Sequence, residues 1–197
     1  VFKTYEKSLV DFNVKASQHQ AEKTDEGWIK LPQEGKTQAG VDKDGKPISP
    51  EEVHKENLKI LDSFSVPNAW CTTLNRYGPQ YLKQGAFWIL VKNNKAEVGI
   101  RFEGDKVAEI AGDQKATGGN YRACPTDYWR EVTEIIFKNG LQDKIMYSAQ
   151  HHWDKIMKAR ALNISFFNED GSPNLEEIEA FRVELVNKPE QFSRVTE

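Results

Sequence analysis

A cysteine and two adjacent histidines are the residues of this sequence best suited to nucleophilic catalysis. Cys71 falls where the pattern predicts the start of a helix, and a helix dipole stabilises a thiolate. His151 or His152 would then supply the base and Asp154 would orient it, in the chain order that cysteine hydrolases use. Cys71 equally fits the role of a small buried apolar residue. The second interpretation is favoured because no glycine adjoins Cys71, whereas nucleophile motifs usually carry one.

Charged residues indicate a second kind of site, which would hold a polar or anionic ligand. Glu97, Arg101 and Glu109 lie in predicted strands, and alternation along the middle strand places Glu97 and Arg101 on the face opposite its apolar residues. Arg76 and Arg122 would converge with Arg101 near a glycine-containing loop, whose backbone amides suit an anion. A solvated sheet face with a cross-strand ion pair explains the same residues without a ligand.

No cofactor or metal site is predicted. The glycine-containing loop 112–122 has neither the Walker nor the dinucleotide spacing. His151 and His152 are adjacent, so on a helix they point about 100° apart and do not readily share one metal ion.

Composition limits the classes of partner. The chain has 197 residues and a net charge of −3, so it lacks the strong positive field that non-specific nucleic-acid binding needs. No stretch is apolar enough for a membrane span, and no signal peptide opens the sequence. Two cysteines do not make a disulfide framework, which favours reduced thiols and a cytoplasmic location. Since the sequence begins at Val1 and not at a methionine, and its ends lie in polar stretches, we expect a segment of a longer protein.

The clearest structural pattern is a three-stranded antiparallel meander over residues 86–111. Asn93 and Asn94 suit a tight turn, because asparagine tolerates positive φ. Glu103, Gly104 and Asp105 form the second predicted turn. The three predicted strands are Ala86–Val91, Ala96–Phe102 and Lys106–Ala111.

Helix and strand signals surround the meander. Ser49 and Pro50, followed by acidic residues, predict a helix from about 50 to 63. A second helix is expected to begin near Pro79 and to end with Gly85 in a left-handed cap. The remaining predictions are a helix within 1–20, a short strand at 27–32, and helices at about 126–138, 141–160 and 175–185.

Several short motifs resemble a module found in large uncharacterised proteins of bacteria, phages and other mobile elements. The signature is a Trp-Cys-Thr start to a helix, a Tyr-Leu…Gly end to it, and a hairpin carrying Ile-Arg…Gly-Asp-Lys…Glu-Ile. The resemblance covers residues 27–113 and implies no activity. Its matching residues are Gly27–Pro32, Glu56–Leu61, Ala69–Thr72, Tyr81–Leu82 with Gly85, Phe87–Leu90, Gly99–Phe102, Gly104–Lys106 and Glu109–Ile110.

Together these patterns predict an α+β fold, in which a small meander packs against helices on one face. We expect an α+β domain at 1–125 and a helical segment at 126–197, packed on that domain or forming a subdomain. The leading functional hypothesis is a non-catalytic binding or interaction module, whose partner is another protein or another domain of the same chain. A cysteine-dependent hydrolase or transferase and an anion- or nucleotide-binding module are the alternatives.

Overall fold

A computed structural model describes residues 22–23, 27–65, 70–113 and 123–187 of the chain. The predicted helix within 1–20 lies outside these residues. The fold is α+β with a helical C-terminal part, as predicted. No helix in the described ranges has the length and apolar character needed to cross a membrane.

An antiparallel sheet forms the centre of the fold. The strands are β1 (Glu22–Lys23), β2 (Trp28–Leu31), β3 (Gly40–Val41), β4 (Pro47–Ile48), β5 (Phe87–Lys92), β6 (Lys95–Glu103) and β7 (Lys106–Gly112). The strand order in the sheet is β1-β2-β5-β6-β7, and a separate ribbon pairs β3 with β4. The predicted meander is confirmed as β5, β6 and β7, and at the turn between β5 and β6 Asn93 and Asn94 have φ of 48° and 67°.

Both faces of the sheet are covered, so the prediction of helices on one face only was wrong. We call the two sides the Trp70 face and the helical face. The near-continuous apolar run Phe87–Val91 explains the difference, since a strand buried on both faces needs apolar residues at successive positions. On the Trp70 face the buried cluster includes Ile29, Leu31, Ile60, Leu61, Trp70, Leu82, Phe87 and Ile89. On the helical face it includes Leu90, Val98, Ile100, Ile110, Val132, Ile136, Trp153 and Ile156.

Helix α1 (Pro50–Ser63) starts and ends as predicted. The Ser49 hydroxyl accepts a hydrogen bond from the Glu52 amide, and the Glu52 carboxylate accepts one from the Ser49 amide. This capping box satisfies two amides that the first helical turn leaves unpaired. The helix therefore has a fixed start, from which Val53, Ile60 and Leu61 reach the buried interior.

Helix α2 (Gly78–Gln84) links α1 to the meander, and its end differs from the prediction. Gly85 has an extended backbone with φ of −174°, so it is not a left-handed cap. A β-carbon there would lie 2.2 Å from the Phe102 carbonyl oxygen. Glycine is needed at position 85 because the chain passes directly against strand β6.

Helices α3 (Trp129–Lys138) and α4 (Tyr147–Asn163) cover the helical face, and α5 (Leu175–Asn187) follows them. The predicted helix from 141 begins six residues later than expected. Residues 141–146 instead run along strand β7, where the Val107 amide donates to the Lys144 carbonyl and the Met146 amide donates to the Val107 carbonyl. Ile145 consequently lies outside the helix, and the buried stripe of α4 is Ala149, Trp153 and Ile156.

Candidate functional site

Arg101 lies at the centre of a polar cluster on strand β6. Its Nε is 3.4 Å from a Glu109 oxygen and its Nη1 is 2.8 Å from a Glu103 oxygen. Nη1 also lies 3.4 Å from the Gln84 amide oxygen, and the guanidinium carbon is 4.8 Å from the centre of the Tyr81 ring. We call these five residues the Arg101 cluster. Glu109, which belongs to the same predicted site as Arg101, therefore pairs with it, and the guanidinium lies between two carboxylates and a ring.

Glu97 does not belong to this cluster, although the alternation along the strand predicted that it shares a face with Arg101. Four residues of strand separate them by about 13 Å. A bulge in the β5–β6 pairing falls opposite Glu97, between Leu90 and Val91. The Glu97 carboxylate lies 3.8 Å from Lys95 Nζ and hydrogen-bonds to Tyr128. Burial, together with this carboxylate, raises the pKa of the Tyr128 hydroxyl.

A stack of aromatic rings leads from the Arg101 cluster to the surface. Tyr81 stacks on Phe87, which is buried, with ring centres 6.3 Å apart. Tyr77 stacks on Tyr81 with ring centres 5.8 Å apart and an angle of 24° between the planes. Tyr77 and Tyr81 are one helical turn apart, the spacing at which side chains meet. The outermost ring is consequently held in position from the core outwards.

The residues before α2 place further exposed side chains beside Tyr77. Residues 74–77 form a turn, in which Leu74 is 44% exposed and Tyr77 is 50% exposed. Arg76, in the same turn, is also exposed. The Asp62 carboxylate accepts a hydrogen bond from the Leu74 amide, which ties the turn to α1. We call Leu74, Arg76 and Tyr77 the Tyr77 surface.

Cys71 is not at the start of a helix, contrary to the prediction, because α2 begins seven residues later at Gly78. Its neighbours are fixed on the Trp70 face: the Trp70 indole donates to the Gly112 carbonyl, and the Thr72 hydroxyl donates to the Leu61 carbonyl. Its sulfur accepts a hydrogen bond from Arg76 Nη1, at 4.0 Å.

The predicted histidines lie on α4, across the sheet from Cys71. His152 Nδ1 is 2.5 Å from the Ile110 carbonyl oxygen. Since a carbonyl only accepts, Nδ1 carries the proton and Nε2 is left as the basic nitrogen. Asp154 does not orient this ring, because its carboxylate accepts a hydrogen bond from Gln150. His151 is exposed, with its ring centre 6.1 Å from that of His152.

These positions correct the predicted catalytic set. Within the described residues no hydrogen bond joins the Cys71 thiol to either imidazole, and the expected order Cys…His…Asp is not assembled in space. The second thiol, Cys124, donates to the His152 backbone carbonyl. Burial raises the pKa of the Cys124 thiol to about 11, so this group is protonated at neutral pH.

The predicted arginine set is only partly covered by the structure. The Arg101 guanidinium is bound by the other residues of the Arg101 cluster. Arg76 faces solvent in the Tyr77 surface, and Arg122 lies outside the described residues. In the parts of the chain that the structure describes, no group of three or more His, Cys, Asp or Glu side chains is placed to hold a metal ion.

Five residues of these two sites were not predicted as site residues from the sequence: Leu74, Tyr77, Tyr81, Gln84 and Glu103. Gln84 and Glu103 complete the Arg101 cluster, and Tyr77 stacks on Tyr81. The i, i+4 spacing of the two tyrosines was an available signal. Glu103, by contrast, was part of a predicted turn, and a turn gives no indication of which way its side chains point.

In comparisons with known proteins, no family model, curated protein or solved structure matches this chain. The resemblance of residues 27–113 to a module of mobile-element proteins consequently stays a prediction.

Proposed function

We propose that the chain is a non-catalytic interaction module, which binds another protein or another domain of its own chain through the Tyr77 surface. The observation that carries this proposal is the stack Tyr77–Tyr81–Phe87. A half-exposed tyrosine held by rings beneath it loses little conformational freedom on binding. Tyrosine and arginine are also among the residues most enriched at the energetic centres of protein interfaces.

The neighbouring side chains define the partner's chemistry. Leu74 and the free face of the Tyr77 ring offer apolar area, and Arg76 offers a fork of donors for a carboxylate or a backbone carbonyl. The expected partner therefore presents an apolar or aromatic side chain next to an acceptor group. The Arg101 cluster supports this surface from below, because its guanidinium packs on the Tyr81 ring.

The geometry gives less support to the two alternatives. A cysteine hydrolase needs an imidazole at the thiol, whereas the side chain that hydrogen-bonds to the Cys71 sulfur is that of Arg76. Anion binding at Arg101 would compete with Glu103 and Glu109, which already accept its hydrogen bonds.

A selection from a displayed random-peptide library tests the proposal. The native protein is the bait, and each enriched peptide is then measured against Tyr77→Ala and Tyr147→Ala. Tyr147 is the matched control, because it is 97% exposed on α4 and belongs to the opposite side of the sheet. We expect enriched peptides whose binding is lost with Tyr77→Ala and kept with Tyr147→Ala. Peptides that bind both variants as they bind the native protein would contradict the proposal.

A further inference from the structure

Helix α1 contains a buried asparagine whose polar atoms have no partner among the residues that the structure describes. Asn57 is 0% exposed, and within these residues neither its Oδ1 nor its Nδ2 makes a hydrogen bond. It lies in the apolar stripe of the helix, four residues after Val53 and three before Ile60, both of which are buried. A buried polar group left without a partner destabilises the folded state, so this residue requires an explanation.

Asparagines at the C-terminal ends of α3 and α4 make a hydrogen bond that Asn57 does not make. Asn139 and Asn163 each donate from Nδ2 to the carbonyl four residues earlier, at 2.8 Å and 2.7 Å. Asn57 has the Val53 carbonyl at the same position in sequence and does not use it. Its amide is therefore directed away from its own helix, into the interior.

His54 adds a second buried atom on the same side of α1. It precedes Asn57 by three residues, a spacing at which helical side chains are neighbours. His54 Nδ1 is buried and has no partner in the described part of the chain, while Nε2 lies 3.6 Å from a Glu34 carboxylate oxygen. Because a carboxylate accepts, the ring proton is favoured on Nε2, which leaves Nδ1 as an acceptor.

We infer that bound water is buried beside helix α1, where it is hydrogen-bonded to the Asn57 amide and to His54 Nδ1. The three atoms comprise two acceptors and one donor group, and water both donates and accepts. A metal cation would serve the oxygen and the imidazole nitrogen but would leave the Asn57 N–H groups unpaired. An anion would serve only those N–H groups. Enclosed waters that make about three hydrogen bonds are a normal component of protein interiors.

Water-to-protein nuclear Overhauser spectra of the native protein test this inference. We expect cross-peaks between water and the Asn57 side-chain amide with the sign of a long-lived bound molecule, and rotating-frame spectra separate these from proton exchange. The Asn139 amide is the internal control, since its Nδ2 donates to a protein carbonyl. An Asn57 amide without such cross-peaks would overturn the inference.

Oxygen-17 relaxation dispersion gives a second measurement. The signal from long-lived water is expected to fall in Asn57→Leu and to stay at the native level in Asn139→Leu. An unchanged signal in a folded Asn57→Leu protein would also overturn the inference. If Asn57→Leu does not fold, the water-to-protein Overhauser spectra of the native protein decide whether the bound water is present.

Discussion

The two faces of the sheet are packed in different ways. On the Trp70 face, neighbouring segments pack closely where a glycine lies, and a hydrogen bond joins them. A β-carbon at Gly99 would lie 2.9 Å from the Trp70 ring, and the Trp70 indole donates to the Gly112 carbonyl. On the helical face, large apolar side chains of α3 and α4 fill the space above the strands, among them Ile136 and Trp153. Added volume should therefore damage the first face, and lost volume the second.

The helical face should show the largest effect. Ile136 is fully buried, so Ile136→Ala removes apolar contacts and leaves a cavity, at a cost of about 3 kcal/mol in the free energy of unfolding. Ile178→Ala on α5 is the matched control, because Ile178 is 39% exposed. Urea denaturation measures both. Equal losses in the two variants would contradict the description of this face.

The Trp70 face should respond to a single added methyl group. Gly99→Ala places a β-carbon against a ring that its own hydrogen bond holds in place, so we expect a loss of about 2 kcal/mol. Gly35→Ala is the control, since no atom lies within 4 Å of the added carbon. A thermal unfolding midpoint for Gly99→Ala equal to that of Gly35→Ala would show that the close packing does not exist in solution.

The Arg101 cluster, next to the Trp70 face, should give a smaller effect. Arg101→Lys keeps the charge but loses the fork that serves two carboxylates and the stacking on Tyr81, at about 1 kcal/mol. Arg182→Lys, on the exposed Arg182–Glu179 pair, should leave the urea midpoint unchanged. Equal midpoints for both variants would mean that the geometry of the guanidinium is not important.

A pH dependence of stability is expected on the helical face, where Cys124 packs. Its pKa is about 11 in the folded protein and 9.0 ordinarily, so between these values the folded state binds more protons than the unfolded state. The contribution of Cys124 to stability is complete below pH 9 and is lost as the pH rises towards 11. Native minus Cys124→Ser stability, followed across this range, should decrease. A constant difference would contradict the burial of the thiol.

Local signals predicted the parts of the fold in which neighbours along the chain decide the structure. The capping box at Ser49 and the turn at Asn93–Asn94 act over a few residues, and both occur as expected. Contacts between distant segments were not accessible in this way. Gly85 was given a local role as a helix cap, whereas its role is to let the chain pass close to Phe102.

The candidate site shows the same limit. Alternation predicted that Arg101 and Glu97 share the face opposite the apolar residues of their strand. It did not identify Glu109 as the partner of Arg101, because that depends on the register of the adjacent strand. Alternation could not predict that Cys71 and the histidines lie on opposite sides of the sheet, because that depends on which face each helix covers. Asn57 was assigned to α1 without any sign of its unpaired amide, which only the packing around the helix reveals.

The central claim is that the Tyr77 surface binds a partner. Its most direct test is the dissociation constant of the best selected peptide, measured by titration calorimetry for the native protein and for Tyr77→Ala and Tyr147→Ala. We predict that Tyr77→Ala weakens binding by about tenfold or more, while Tyr147→Ala leaves it unchanged. An unchanged dissociation constant for Tyr77→Ala, in a variant that unfolds at the native temperature, would contradict the claim.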